Sequence, residues 1–235
     1  MRQLVLDLPV EPRYGPDDFL VSPSNEDAYS RLELWPDWPS RFLHLRGPAG
    51  SGKSHLAAIW AQRSGAPILP AARIDDEIAA ASDGVPALVI EDLDVGPVAE
   101  AALFHLVNIA RERQVSVLVT SAEPIERCGL RTPDLMSRLR LAPVVELHAP
   151  DDALLKAVLV KHFVDRQLVV DTSVVDYLAT HIERSLARAA EIVAALDREA
   201  LSRGRRITRP MAAALVAKED EERDPEAEGV ITAQS

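Results

Sequence analysis

A chain of 235 residues, 47% of them hydrophobic, is long enough for one large or two small domains with a real core, and no run in it approaches the ~20 apolar residues of a membrane span. Its 37 acidic against 26 basic residues give a net charge of −11, which argues against a general nucleic-acid surface, because neutralising phosphates takes clustered Lys and Arg. A single cysteine, Cys128, excludes an internal disulfide, and the six histidines at 44, 55, 105, 148, 162 and 181 show no metal-ligand spacing.

The first segment with a pattern is Gln3-Leu4-Val5-Leu6-Asp7-Leu8-Pro9. Alternating Leu4, Leu6 and Leu8 suit either an edge strand of the core or an extended peptide that docks in an apolar pocket, with Gln3 free for polar contacts. Met1–Pro9 has no signal-peptide core, so a cytoplasmic protein is expected. Phe42-Leu43-His44-Leu45 then reads as a short buried strand. It enters Gly47-Pro48-Ala49-Gly50-Ser51-Gly52-Lys53-Ser54, which fits the phosphate-binding pattern G-x-x-x-x-G-K-[ST] at every fixed position. The glycines let consecutive backbone N–H groups converge on a triphosphate, Lys53 neutralises its β and γ oxygens, and the Ser54 hydroxyl is placed to ligate Mg²⁺. Lys53 to Gln62 is rich in helix formers and aims a positive helix end at the same phosphates.

After a stretch broken up by Gly65, Pro67, Pro70 and Gly84, the continuous apolar run Pro86 to Ile90 predicts a parallel strand buried on both faces. It ends in Glu91-Asp92, the shape of a segment in which one carboxylate holds Mg²⁺ and the next polarises an attacking water. A helical stripe from Val98 to Arg113 and strands at Val115–Thr120 and Val144–Leu147 complete an alternation of strands and helices. That alternation predicts a mostly parallel sheet with ligands at the strands' C-terminal ends.

Beyond Ala149-Pro150 the stripes are helical, at 154–166, 172–182, 185–202 and 208–217, with Asp151, Thr172 and Thr208 as expected N-caps and Leu168–Val170 as the one weak strand signal. This predicts a small helical second domain. Residues 219–235 hold seven acids against one Arg, and are expected to be a disordered, solvated tail. Residues 1–218 keep 30 acids and 25 bases.

A P-loop α/β core followed by a helical lid resembles the AAA+ ATPases. Phe19-Leu20-Val21-Ser22-Pro23-Ser24-Asn25, the loop ending Lys53-Ser54-His55-Leu56, Leu103 to Asn108, and Leu118-Val119-Thr120-Ser121 look like blocks of the bacterial replication initiator DnaA. Pro133-Asp134-Leu135-Met136-Ser137-Arg138-Leu139 looks closer to the short DnaA-related regulators of the Hda (HdaA) family, which inactivate DnaA. The resemblance implies an AAA+ core with a five-stranded sheet over residues 13–150, a helical lid at 151–218 and an N-terminal peptide at 1–12.

It also implies roles. Arg138 would project to the γ-phosphate of a partner's ATP, and a guanidinium suits that task because it is always charged and can bond two phosphate oxygens at once. Arg131 and Arg140 are its rivals. Arg188 would be the lid arginine that touches bound nucleotide, with Arg184 as the alternative. Tyr14, Leu20, Val21 and His55 lie where the family lines its nucleotide pocket, and Gln3, Leu4, Leu6 and Leu8 resemble the peptide that binds the β sliding clamp of DNA polymerase III.

The implied cofactors are ADP or ATP with Mg²⁺, the latter on Ser54 and Glu91. The implied partners are DnaA and the clamp, with no sequence-specific DNA contact and self-association left open. Glu91 stands where initiators commonly have Asp, and Ala122 where the family tends to place a γ-phosphate-sensing Asp. Weak intrinsic hydrolysis is therefore expected, with Ser121 as the available substitute. A helicase loader of the DnaC type, or a transposition helper, shares the P-loop and the arginine and is the alternative reading.

Overall fold

The computed structural model describes residues 15, 18–81 and 84–223. They fall into two compact units, one ending at Asp151 and one beginning at Asp152. In chain order the first contains α1 (Glu26–Glu33), β1 (Phe42–Arg46), α2 (Lys53–Ser64), β2 (Ile68–Pro70), α3 (Asp76–Ala81), β3 (Ala87–Glu91), α4 (Glu100–Glu112), β4 (Ser116–Ser121), α5 (Pro133–Leu139) and β5 (Val144–Glu146). The second contains α6 (Asp152–Asp165), α7 (Thr172–His181), α8 (Leu186–Arg203) and α9 (Arg209–Arg223).

All five strands pair in parallel, in the order β2-β3-β4-β1-β5. Successive side chains on a strand face opposite ways, so a strand buried on both faces must be apolar at every position. The central runs Ala87–Ile90 and Val117–Val119 meet this condition. Phe42, Leu88, Ile90, Val117 and Val119 pack on one face, in a cluster with Leu103, Leu106 and Val107 of α4 and Leu135 and Leu139 of α5. Leu43, Leu45, Ala87, Val89, Leu118 and Val145 face the other way, onto Ala28 and Leu32 of α1 and Leu56, Ile59 and Trp60 of α2.

β2 is the fifth strand, which no sequence pattern pointed to. It is three residues long, lies at a sheet edge and ends in Pro70, where a missing N–H costs nothing on the unpaired side. A 3₁₀ turn, Ala71–Arg73, and the six-residue α3 follow it.

The second unit is all helical. Its core joins Leu155, Leu159 and Phe163 of α6, Val174 and Leu178 of α7, Ile192, Val193 and Leu196 of α8 and Ala212 and Val216 of α9. Leu168–Val170 is not a strand but the link from α6 to α7, with Val169 89% exposed. The cap of α7 is Asp171, not Thr172: its carboxylate accepts from Ser173 N at 2.9 Å. α9 runs past Lys218 to Arg223, so the expected disordered tail begins as helix, and Glu219 on it pairs with Arg188. No helix among the described residues is long and apolar enough to cross a membrane.

The buried polar side chains of the sheet are His44 on β1 and Ser116, Thr120 and Ser121 on β4. His44 on β1 is 2% exposed, its Nε2 2.7 Å from the Ser121 hydroxyl, which itself donates to Glu123 O at 2.5 Å. That hydroxyl has one hydrogen, so His44 carries its proton on Nε2 and donates to Ser121. Burial, reinforced by the nearby Arg46 charge, pushes the imidazole down to about 4 from an ordinary 6.5.

The unfolded chain therefore binds a proton that the folded chain refuses. The stability this contributes is complete above pH 6.5 and is lost as pH falls toward 4. From pH 7 to pH 5 the wild type is expected to lose about 2 kcal/mol more than His44→Gln, which keeps a donor but does not titrate. Urea unfolding of both proteins at the two pH values measures this, and parallel losses would rule His44 out as the titrating group.

Candidate nucleotide-binding site

In a parallel sheet the C-terminal ends of the strands share one edge, and the loop 47–52 after β1, Glu91-Asp92 at the end of β3 and residues 121–123 at the end of β4 lie along it. Backbone bonds tie them together: Gly47 N to Ser121 O at 3.2 Å, Leu93 N to Thr120 O at 3.0 Å, and Leu147 N to Arg46 O at 2.7 Å. An open cavity of about 590 Å³ lies between the loop residues Gly47, Pro48 and Ala49, the β4 end at Ala122 and Glu123, and Leu147.

Residues 47–52 form a cradle that needs its glycines. A Cβ on Gly47 would stand 2.6 Å from Leu147 O and 2.9 Å from Ser51 Oγ, leaving no room for a side chain. Gly50 and Gly52 adopt φ of 70° and 103°, left-handed values that L side chains disfavour. Ser51 is 2% exposed, and its hydroxyl has no hydrogen-bond partner in the structure, an orphaned polar group in the centre of the loop.

Lys53, on the first turn of α2, is buried and donates from Nζ to Gly47 O at 2.7 Å and Pro48 O at 3.0 Å. Burial holds its ammonium below the ordinary lysine range, against the opposing pull of Asp92, Asp94 and Glu91. A cation with only carbonyl partners, carboxylates nearby and an unsatisfied hydroxyl beside it is what a phosphate-Mg²⁺ site requires, and these residues fit a nucleotide. Ser54 is exposed at the same helix start, and Glu91 and Asp92 are half-buried at the end of β3. Among the described residues no three-membered cluster of His, Cys, Asp or Glu forms a metal site by itself.

Asp92 has φ 55°, and its N–H is held by Thr120 Oγ1 at 3.0 Å. Two residues on, Asp94 accepts from Ala122 N at 2.9 Å and Glu123 N at 3.1 Å through one oxygen, Oδ2. A carboxylate from the β3–α4 connection thus holds the backbone at the end of β4. Sequence reasoning missed Asp94, and the only available signal was the repeated acid in Glu-Asp-Leu-Asp. Ser121, the expected substitute, is fully buried and committed to His44 and Glu123, so it does not face the cavity.

Of the other pocket residues, His55 Nε2 lies 3.2 Å from Gly15 O and its ring meets Phe19 edge-on, which brings Gly15 and Phe19 against α2. Leu20 is half-buried with its carbonyl bonded by Asn25 Nδ2 at 2.9 Å, and Val21 is 49% exposed. Tyr14, Gln3, Leu4, Leu6 and Leu8 lie outside the described residues.

Arg138 is half-buried on α5. Its guanidinium lies over the Phe104 ring, 4.7 Å from the centroid, and donates to Asn108 Oδ1, both groups on α4. The seat uses one N–H of five. Of its rivals, Arg140 is spent on Glu126 at 2.7 Å, and Arg131 is exposed. In the helical unit Arg188 is buried and pairs with Glu191 at 3.5 Å and with Glu219, whereas Arg184 is 58% exposed and pairs with Asp152 at 2.7 Å.

Comparisons with known proteins accord with this architecture. The family model of the Hda lid domain matches residues 151–215. No curated protein matches the sequence. The chain is similar in structure to domain III of the replication initiation protein DnaA from Thermotoga maritima, with a TM-score of 0.75 at 20% identity over 90% of this chain and 98% of that one. DnaA from Aquifex aeolicus bound to AMPPCP gives a TM-score of 0.67 at 18% identity, over 91% and 70% of the two chains. The Thermotoga maritima Holliday junction branch migration motor RuvB gives 0.67 at 17%, over 88% and 72%. Residues 151–215 are thus a lid domain of the Hda type, and the chain has the AAA+ fold seen in domain III of DnaA.

Proposed function

We propose that the protein is a cytoplasmic regulator of replication initiation that binds ADP or ATP, docks on the β sliding clamp and on DnaA, and stimulates ATP hydrolysis by DnaA. The observation that carries this reading is the pairing of an Hda-type lid with the seated, half-exposed Arg138, whose rivals are paired elsewhere or unsupported.

On this reading the protein's own nucleotide is structural. Lys53 and backbone N–H groups of residues 49–54 would hold its phosphates, and Mg²⁺, which Ser54 and Glu91 would hold, would supply neutralisation of phosphate charge. Asp92 is the acid left to orient water. The all-backbone hold of Asp94 on residues 122 and 123 fits a binding site better than a turnover site. Of the lid pair, Arg188 is the one we assign to the nucleotide, whose phosphates would compete with Glu191 and Glu219 for it, and Arg138 serves the partner's ATP.

The clamp contact gives the sharpest test. With Gln3 and Leu4 both replaced by Ala, a pull-down is expected to lose the clamp while the melting temperature stays unchanged, because on this reading the substitutions remove a polar contact and an apolar anchor made to the clamp alone. A large fall in melting temperature would make residues 3–8 a core strand and remove the clamp from this reading.

A further inference from the structure

The chain's acidity hides one strongly basic place. Between Arg198 and Arg209 five arginines stand against the single Glu199, and no acid follows until Glu219. The structure gathers these residues around the turn from α8 to α9. Gly204 ends α8 in the left-handed conformation at φ 60°, and the chain reverses into α9 at Arg209. Arg198, Arg203, Arg205, Arg206 and Arg209 are all exposed, while Ile207, 7% exposed, turns inward and anchors the loop to the core.

The partners of these cations are few. Arg203 pairs with Glu199 at 2.5 Å, and Arg209 lies over the Tyr177 ring at 5.6 Å, where His181 stacks on that ring at 4.0 Å. Among the described residues no carboxylate pairs with Arg205 or Arg206. The nearby Asp176 is taken by Lys156 at 2.5 Å.

We propose that this turn is a sequence-independent binding surface for the phosphodiester backbone of duplex DNA. Its donors are the set that grips phosphates: planar guanidinium groups and the exposed Thr208 hydroxyl, set at the start of the fifteen-residue α9, whose helix end is itself positive. It is poorly made for an acidic protein segment, because a protein interface wants an apolar centre and the turn's one apolar residue, Ile207, faces inward. It is equally poorly made for reading bases, since the Tyr177 ring is already occupied by His181 and Arg209. The inference stands apart from the clamp and DnaA reading, as it needs neither partner.

The test is fluorescence anisotropy of a labelled 20-base-pair duplex of mixed sequence against the full chain, from 50 to 200 mM salt. Binding is expected with a dissociation constant of order 10⁻⁴–10⁻⁶ M and a steep salt dependence. Replacing Arg205 and Arg206 together by Gln is expected to reduce the slope of log affinity on log salt by about 2 and to weaken binding at least tenfold at the low-salt end.

The control changes net charge equally at exposed arginines of the other unit, Arg41→Gln with Arg73→Gln, and is expected to bind like wild type. Equal losses in both variants would mean a bulk charge effect and overturn the assignment, as would no binding at 50 mM salt. Poly-glutamate bound as tightly as DNA, with the same sensitivity to Arg205 and Arg206, would overturn it in favour of an acidic protein partner. Melting temperature, read on every variant, separates these outcomes from unfolding.

Discussion

Replacing Lys53 by Ala is expected to weaken binding of both ADP and ATP by about 2–3 kcal/mol, roughly 30- to 150-fold, with little change in melting temperature. The two halves of that expectation come from the same geometry. In the folded chain the ammonium is buried with only the carbonyls of Gly47 and Pro48 as bonded partners, and burial depresses its pKa, so the protein holds this charge at a cost. Deleting it removes an unfavourable burial along with two hydrogen bonds, and the fold loses little.

Bound phosphates, by contrast, would lose a charge-assisted contact. Isothermal titration calorimetry of wild type and variant decides the matter, with thermal unfolding as the control. Unchanged affinity would mean that the cradle at 47–52 does not hold a nucleotide, whatever its glycines permit.

The P-loop was legible because its information is local. Eight consecutive residues carry the glycines, the lysine and the hydroxyl, and the strand and helix on either side show their periods plainly. The central strands were legible for a related reason: burial on both faces leaves no polar position in Ala87–Ile90 or Val117–Val119.

What escaped depends on tertiary contact. β2 has three residues, too few for any period, and exists because β3 offers it a free edge. The seat of Arg138 joins residues 30 apart in sequence, Asn108 and Arg138, and the hold on residues 122 and 123 reaches 28 and 29 residues back to Asp94. The acidic tail looked like solvated chain because its composition is polar, yet its first residues extend α9 and one of them, Glu219, closes on the buried Arg188. The basic turn was lost in a sum: 25 bases against 30 acids over residues 1–218 says nothing about five arginines within twelve residues.

The largest effect is expected at Arg138. Arg138→Ala should abolish stimulation of DnaA-bound ATP hydrolysis, a fall on the order of 10³–10⁵ where an arginine supplied in trans has been measured in GTPase systems. The protein's own nucleotide affinity and its clamp binding should stay normal. The separation follows from where the side chain is held: Phe104 and Asn108 fix the guanidinium from α4, and neither belongs to the loop that carries Lys53.

Stability is a weak confounder, since a half-exposed cation over an aromatic ring contributes about 0.5–1 kcal/mol. Arg138→Lys keeps the charge but not the planar fork, so it should recover little of the lost rate. Full recovery with Lys would mean that only a positive charge is needed. The measurement is single-turnover hydrolysis of ATP bound to DnaA in a mixture with clamp-loaded DNA and this protein. If Arg138→Ala stimulates like wild type, the arginine is structural and its seat on α4 serves packing alone. If Arg138→Ala fails and the Asn108→Ala variant, which frees the guanidinium without removing it, is impaired to an intermediate degree, then the orientation imposed by α4 is part of what the partner's site receives.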